Sequence, residues 1–168
     1  MMKEEMLDRL NRQINEELTS AYIYLDFANR FESMGLNGFA HWFSIQAIEE
    51  YGHADRIIRY LQDCDEAVHL MEIEPALLAP TTPDDLLKAA LTHEQHITAC
   101  IHDLYEFAWK ISDSRTMVFL EWFIREQIEE EKQISDLISQ LNLYGDCNTV
   151  FSLDRELALR KVPSVQMV

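Results

Sequence analysis

The sequence predicts an all-α fold, a four-helix bundle in which one long connection carries the chain from the second helix to the third. Three observations carry that expectation. Four long stretches hold apolar residues at alternating three- and four-residue spacing, the period of a helix buried on one face. No stretch alternates with the two-residue period of a strand. All 4 Pro and two of the 4 Gly fall outside the four stretches, and the other two, Gly38 and Gly52, fall in the second. With 168 residues, 48% hydrophobic and 26% charged, the whole chain (1–168) reads as one domain with a real core. Disorder, collagen-like repeats and a disulfide scaffold are excluded by the same composition.

The first helix is expected over residues 4–32, ending near Met34-Gly35, with the stripe Leu7, Leu10, Ile14, Glu17, Ala21, Tyr24, Ala28. The second runs over 37–63 with Asn37 as its N-cap, and its stripe is Phe39, Phe43, Ala47, Glu50, Ala54, Ile57, Leu61. Residues 64–83 contain Pro75, Pro80 and Pro83 and read as an extended connection. In Thr82-Pro83-Asp84-Asp85 a capping hydroxyl, a proline at the first helical position and acids in the first turn start the third helix. That helix is expected over 84–111, with Leu87, Leu91, Glu94, Ile97, Ile101, Leu104 and Ala108 on one face. After the polar turn Ser112–Arg115, the fourth helix covers 116–143 and presents Leu120, Phe123, Gln127, Glu130, Ile134, Leu137 and Leu141. Gly145 stops it, and a short amphipathic fifth helix fits 152–161, before Pro163. This last helix, with Leu153, Leu157 and Leu159, is too short to stand alone and must pack on something. Helices of about 27 residues span roughly 40 Å. Short turns join the first and second pairs, and the long connection lets the middle step cross the bundle. Phe31, Trp42, Tyr60 and Phe151 read as exposed-face aromatics that exceed what one bundle core needs and point to subunit contacts. Gly52, mid-helix, costs about 1 kcal/mol relative to Ala and is expected to ease a close helix approach.

The 30 acids against 14 bases give a formal charge of −16, which repels nucleic acid and anionic membranes and attracts cations. Cys64, Cys100 and Cys147 lack C-x-x-C spacing and read as free thiols, so no thiolate metal centre is expected. MMKEEM has no basic region followed by an apolar run, and no 18-residue apolar stretch occurs. A cytoplasmic protein without a membrane segment is the expectation.

Each stripe carries an acid near its middle: Glu17, Glu50, Glu94 and Glu130. A single carboxylate in an apolar core costs several kcal/mol, as an order of magnitude, unless paired or metal-bound. Four in one layer also repel one another. The nearest bases, Arg56, Arg59 and Arg125, lie on other helix faces. A multivalent cation is the simplest remedy. Glu50 and His53, three residues apart, share a face and can hold one ion together. Carboxylate oxygens with a single imidazole suit iron or manganese better than structural zinc. Four carboxylates can neutralise two ions side by side, with Glu50, and Glu130 as a second candidate, bridging, as in helix-bundle di-iron proteins. A lone E-x-x-H or the run Glu129-Glu130-Glu131 is by itself ordinary helix surface, although three consecutive helical positions span about 200°, so one can point inward. The coincidence of four central acids and one histidine in a common layer is what carries the metal reading. His41, His69, His93, His96 and His102 read as surface or locally hydrogen-bonded groups.

Five stretches resemble one family: N-x-E-L-T-S-A-Y-I-Y around Glu17, GLNGFAHWF, AIEEYGHAD around Glu50 and His53, FLEWFIREQIEEEK around Gln127 and Glu130, and the tail FSLDRELALR. Together they make the chain similar to a prokaryotic non-haem ferritin over about residues 4–161. The resemblance implies a ferritin-like four-helix bundle with a long crossover and a short C-terminal helix. It also implies an iron ferroxidase centre within each subunit. One iron would be held by Glu17, Glu50 and His53, and the second by Glu50, Glu94 and Glu130 with Gln127 nearby. A third, weaker site would involve Glu49, Glu126 and Glu129, sharing Glu130. Tyr24 matches the family's tyrosine beside the centre and Trp122 a nearby aromatic, both candidate electron donors. The implied activity is oxidation of Fe(II) by dioxygen or peroxide, with ferric mineral stored in a homo-oligomeric shell of 24 subunits. Gln127 and Glu130 stand where bacterioferritin repeats its E-x-x-H, and Tyr51 where it has its haem-binding methionine, so no haem is expected. Animal heavy chains carry a small residue at the place of Glu130. Rubrerythrin needs a second E-x-x-H and a cysteine-bound iron module, which the sequence lacks. Two alternatives are a soluble di-iron oxidase or peroxidase that stores nothing, and a non-catalytic helical adaptor that sequesters cations.

Overall fold

The computed structural model describes residues 2–74, 81–144 and 147–162. Pro75, Pro80, Gly145, Pro163 and the Cys147 side chain, each named above, lie outside the described residues. Those residues form five helices and no strand: α1 (Glu4–Ser33), α2 (Asn37–Asp63), α3 (Pro83–Lys110), α4 (Ser114–Tyr144) and α5 (Cys147–Leu157). The α1–α2 turn needs a left-handed residue, and Gly35 supplies it with φ 76°. Thr82 caps α3, its hydroxyl accepting from the Asp85 N–H at 3.2 Å.

Cross-helix contacts fix the topology. Phe31 stacks on Phe39 at 5.0 Å, pairing α1 with α2 antiparallel. Arg9 reaches Asp103 at 2.5 Å and Ser20 reaches His93 at 2.7 Å, setting α3 antiparallel to α1. Gln46 bonds Glu130 at 2.7 Å and Tyr60 bonds Thr116 at 2.8 Å, setting α4 antiparallel to α2. The bundle is therefore up-down-down-up. The connection after α2 is laid along α1: Asn11 bonds the Ala67 carbonyl and the His69 N–H, and Asn15 donates to the Glu72 carbonyl at 3.3 Å.

The apolar core falls into two halves. One contains Tyr24, Phe27, Phe31, Phe39, Phe43 and Ile134, and the other contains Leu10, Ile14, Ile57, Ile97, Ile101 and Phe123. The stripe acids lie between them.

Several expectations need correction. Phe31 and Trp42 are buried rather than exposed. Phe31 sits two turns beyond Tyr24 on the same stripe, and Trp42 packs edge-on against Phe43 at 4.9 Å beneath the C-terminal segment. Tyr60 is half-buried, stacked on Phe119 at 3.9 Å, and Phe151 is exposed. The fifth helix occupies Cys147–Leu157, not 152–161. Its inward face is Val150, Leu153 and Leu157 at helical spacing, while Leu159 lies past the helix and is exposed. Asn37 is not the N-cap of α2. Leu36 holds that position without a side-chain bond, and Asp154 of α5 caps the helix from afar, its Oδ1 accepting from the N–H groups of Gly38 at 2.8 Å and Phe39 at 3.0 Å. A Cβ on Gly52 would meet nothing within 4 Å, so that glycine serves no close approach.

The close approach belongs to Gly38, where a Cβ would sit 1.6 Å from the Asp154 carbonyl oxygen. Gly38→Ala is expected to push α5 off α2 and cost about 1–3 kcal/mol. Thermal melting and hydrogen exchange of residues 147–157 check this, and unchanged values in both would mean that α5 is not seated on α2 in solution.

Candidate metal centre

Four helices place their inward acids at one depth because each stripe reaches the bundle axis at the same level. Glu17 comes from α1, Glu50 and His53 from α2, Glu94 from α3, and Gln127 and Glu130 from α4, all between 1% and 5% exposed. Three sets of ligand atoms each lie within 4.8 Å of one another: Glu17–Glu50–His53, Glu50–Glu94–Glu130, and His53–Glu126–Glu130. The first two share Glu50 and are wholly buried. The third includes the half-buried Glu126 and opens toward the bundle's side.

Neutral side chains orient the acids. Gln13 donates to Glu17 Oε1 at 2.9 Å, and Gln46 donates to Glu130 Oε2 at 2.7 Å. Gln127 donates to Glu94 Oε2 at 3.0 Å, and the Tyr24 hydroxyl donates to Glu94 Oε1. His53 turns Nδ1 toward Glu50 Oε2 at 3.1 Å and Glu17 Oε2 at 3.9 Å. Glu17 Oε2 and Glu50 Oε1 are buried with no hydrogen-bond partner. Buried polar atoms are rarely left so. Two orphaned carboxylate oxygens beside an imidazole nitrogen are the donor set of a hard or borderline cation, so iron fits the residues present.

Burial dominates the proton equilibria. It raises Glu17 from 4.5 to about 8, with the Glu50 charge adding to the rise. Glu50 and Glu130 are pushed well above the usual carboxylate range by burial, then by neighbouring acids, and burial raises Glu94 too. Burial and the adjacent Glu94 keep Tyr24 protonated, as its hydrogen bond requires.

The remaining site candidates are arranged less uniformly. Glu126 Oε1 lies 4.0 Å from His53 Nε2. Glu49 lies outside the three sets and pairs with Arg160 at 2.6 Å. Glu129 is exposed and accepts from Gln133 at 3.2 Å, so it stands outside the three sets. Trp122 lies edge-on to the His53 ring at 5.4 Å. Among the other histidines, His93 is largely buried against Ser20, and burial pulls it down to about 4. His96 pairs with Glu16 at 3.2 Å.

The ferritin-like domain family matches residues 7–144, most of the chain. The chain belongs to the ferritin family. It is similar to the bacterial non-heme ferritin of Staphylococcus haemolyticus, 34% identical over 161 residues that span 95% of this chain and 97% of that protein. The bacterial non-heme ferritin of Bacteroides fragilis is 31% identical over 160 residues, spanning 95% of this chain and all of its own length. A closed form of the Archaeoglobus fulgidus ferritin, engineered by site-directed mutagenesis, superposes with a TM-score of 0.94 at 37% identity, covering 96% of this chain and 99% of that one. The open-pore ferritin of the same archaeon gives 0.93 at 37% identity, covering 95% and 98%. No helix among this ferritin's described residues is long and apolar enough to cross a membrane.

Sequence reasoning passed over Gln13, Gln46, Thr98 and Arg160. Gln13 and Gln46 had a usable signal, since each lies one turn before an inward glutamate on the same face. Thr98, which bonds Glu131 at 2.6 Å, and Arg160 had none, because their partners lie on other helices.

The raised carboxyls set a pH dependence for the metal-free protein. A group whose pKa rises on folding adds stability below its ordinary value and loses it as pH passes the folded value. For Glu17 that window runs from 4.5 to about 8. The metal-free melting temperature is expected to fall across this range, and Glu17→Gln to remove part of the fall. Cation binding must expel the same protons, so adding Zn²⁺ to unbuffered protein near neutral pH should acidify the solution. A flat melting profile with no proton release would contradict the protonated layer.

Proposed function

We propose that each subunit of this ferritin binds two Fe(II) ions as substrate in the buried layer, oxidises them with dioxygen or peroxide, and passes ferric product to a mineral store inside a 24-subunit shell. The observation that carries this reading is the pair of buried three-donor sets that share Glu50. A shared carboxylate holds two ions a few Å apart, and each Fe(II) can then give one electron to the same oxygen molecule.

Glu17, Glu50 and His53 Nδ1 would hold the first iron, with Gln13 fixing Glu17 so that its unbonded Oε2 faces the site. Glu50, Glu94 and Glu130 would hold the second, steadied by Gln127, Tyr24 and Gln46. Protons leave these carboxyls as the ions enter. Tyr24, hydrogen-bonded to Glu94, and Trp122, against His53, are placed to supply an electron to the centre. Glu126 and Glu130 would form a weaker outer position at the rim of the layer, beside His53, whose Nε2 keeps its proton toward Glu126 once Nδ1 holds the first iron. Exposed Tyr22, Leu25, Trp109, Val118 and Ile128 offer apolar surface for subunit contacts in the homo-oligomer. No haem is expected, Tyr51 being exposed at the place where the bacterioferritin methionine would stand.

Aerobic Fe(II) addition to metal-free protein, followed by gel filtration and iron analysis, tests the whole reading. Rapid oxidation with far more than three irons per chain, retained in a very large particle, is expected. Retention that stops at two or three per chain would leave a di-iron oxidase and reject storage. Glu50→Ala is expected to slow the fast oxidation phase by about a hundredfold or more, since losing even an outer contact of a metal ligand costs about 10–100-fold. Glu49→Ala should affect it far less, and stopped-flow rates equal for the two variants would refute the shared role of Glu50. Tyr24→Phe should alter at least one oxidation phase, and its silence in all of them would reduce Tyr24 to core packing.

A further inference from the structure

Glu49 and Glu50 are neighbours in α2 and point about 100° apart. Glu50 enters the buried layer, while Glu49 turns to the side covered by the segment that follows α5. Its carboxylate remains within electrostatic reach of His53 and Glu126, two members of the outer donor set.

What holds Glu49 there is one side chain. Arg160 lies just beyond the turn that closes α5, where its own N–H bonds the Leu157 carbonyl at 3.1 Å. Its carbonyl lies 2.9 Å from His41 Nε2, which ties the backbone to α2. The guanidinium spans three partners: Nη2 donates to Glu49 Oε2 at 2.6 Å and to Gln133 Oε1 at 3.5 Å, and Nη1 donates to the Trp42 carbonyl at 3.3 Å. It also stacks over the Trp42 ring at 4.6 Å. The ion pair is mostly shielded from water, the Arg160 and Glu49 side chains being 17% and 20% exposed. Screening is correspondingly weak.

We propose that Arg160 is a positioning residue that holds Glu49 back from the outer cation position at Glu126 and Glu130, beside His53. The guanidinium fixes Glu49 Oε2 and offsets most of that carboxylate's charge. A cation that fills the outer position gains the full charge of Glu49 only by drawing the carboxylate off Arg160, and the segment after α5 then loses that polar tether. The outer position is thereby kept weaker than the two buried ones, and its filling is coupled to the C-terminal segment. This rests on the metal centre proposed above.

Zn²⁺, which takes the same oxygen and nitrogen donors without redox chemistry, is the probe. Calorimetric titration of the assembled, metal-free protein is expected to give two tight positions per chain and a weaker third. Arg160→Gln should tighten the third by about three- to tenfold, the scale of one partly buried ion pair, and leave the first two unchanged. In the unaltered protein, hydrogen exchange of residues 147–162 should rise only as the third position fills. In Arg160→Gln it should be high from the start and insensitive to metal. Arg160→Lys, which keeps the charge on Glu49 but loses the fork and most of the stacking, should fall between the two.

An unchanged third affinity in Arg160→Gln would overturn the proposal while leaving the metal centre intact, as would exchange at 147–162 that ignores Zn²⁺ in the unaltered protein. Absence of any tight Zn²⁺ binding would remove both. The exchange measurement on the unaltered protein needs no variant and decides the matter even if Arg160→Gln assembles poorly.

Discussion

Everything in this molecule is arranged around a layer of carboxyl groups set where carboxylates are least welcome. Glu17, Glu50, Glu94 and Glu130 meet at the centre of the bundle with apolar packing above and below. Among the described residues His53 is the one basic side chain paired with them, and burial raises Glu17 to about 8 and pushes Glu50 and Glu130 well above the usual carboxylate range. The two apolar halves provide the hydrophobic stabilisation, and the polar layer between them contributes chemistry and a standing demand for positive charge. Charges of such a layer are better satisfied by two shared divalent ions than by four separate bases, which would need four long side chains threaded into a packed core.

The topology serves that layer. Up-down-down-up connectivity, made possible by the strand of chain laid along α1, allows acids near the middle of all four helices to share one level. Two of the acids come from the α1–α2 hairpin and two from the α3–α4 hairpin, so the layer also joins the halves of the bundle. The residues that orient the acids are neutral amides and a phenol. Neutral donors fix geometry without cancelling charge, so one oxygen of Glu17 and one of Glu50 remain free for a ligand.

Much of this was legible in the sequence because it is periodic. A stripe at helical spacing declares its buried face, and an acid on that face stands out against apolar neighbours, as Glu17 does between Ile14 and Ala21. The buried tyrosine and the E-x-x-H pair fell to the same reasoning. What escaped depends on contacts between segments distant in the chain. The cap of α2 comes from Asp154, which no inspection of residues 34–40 reveals, and that is why Asn37 looked sufficient. The start of α5 depends on Val150, Leu153 and Leu157 finding a face to cover. Phe31 and Trp42 looked surplus to a four-helix core because the C-terminal segment that covers Trp42 was not counted. Glu49, Glu126 and Glu129 look equivalent as acids near the layer, yet the fold gives one a guanidinium, one an imidazole and one the solvent.

That last difference orders the site. Inner carboxyls meet neutral donors and one imidazole shared among four acids, so most of their need for positive charge is unmet until metal arrives. Outer carboxylates are already partly satisfied: Glu49 by Arg160, and Glu126 by the field of His53 and of Arg56, whose guanidinium rests on the Trp122 ring at 4.2 Å. An entering ion therefore gains most in the buried pair and least at the rim. A gradient of this kind fills the reactive positions first and leaves the rim weakly occupied and quickly vacated. In the proposed reaction, oxidised product needs that property to leave the layer, and the same arginines that weaken the rim would favour its passage without any change in the buried ligands.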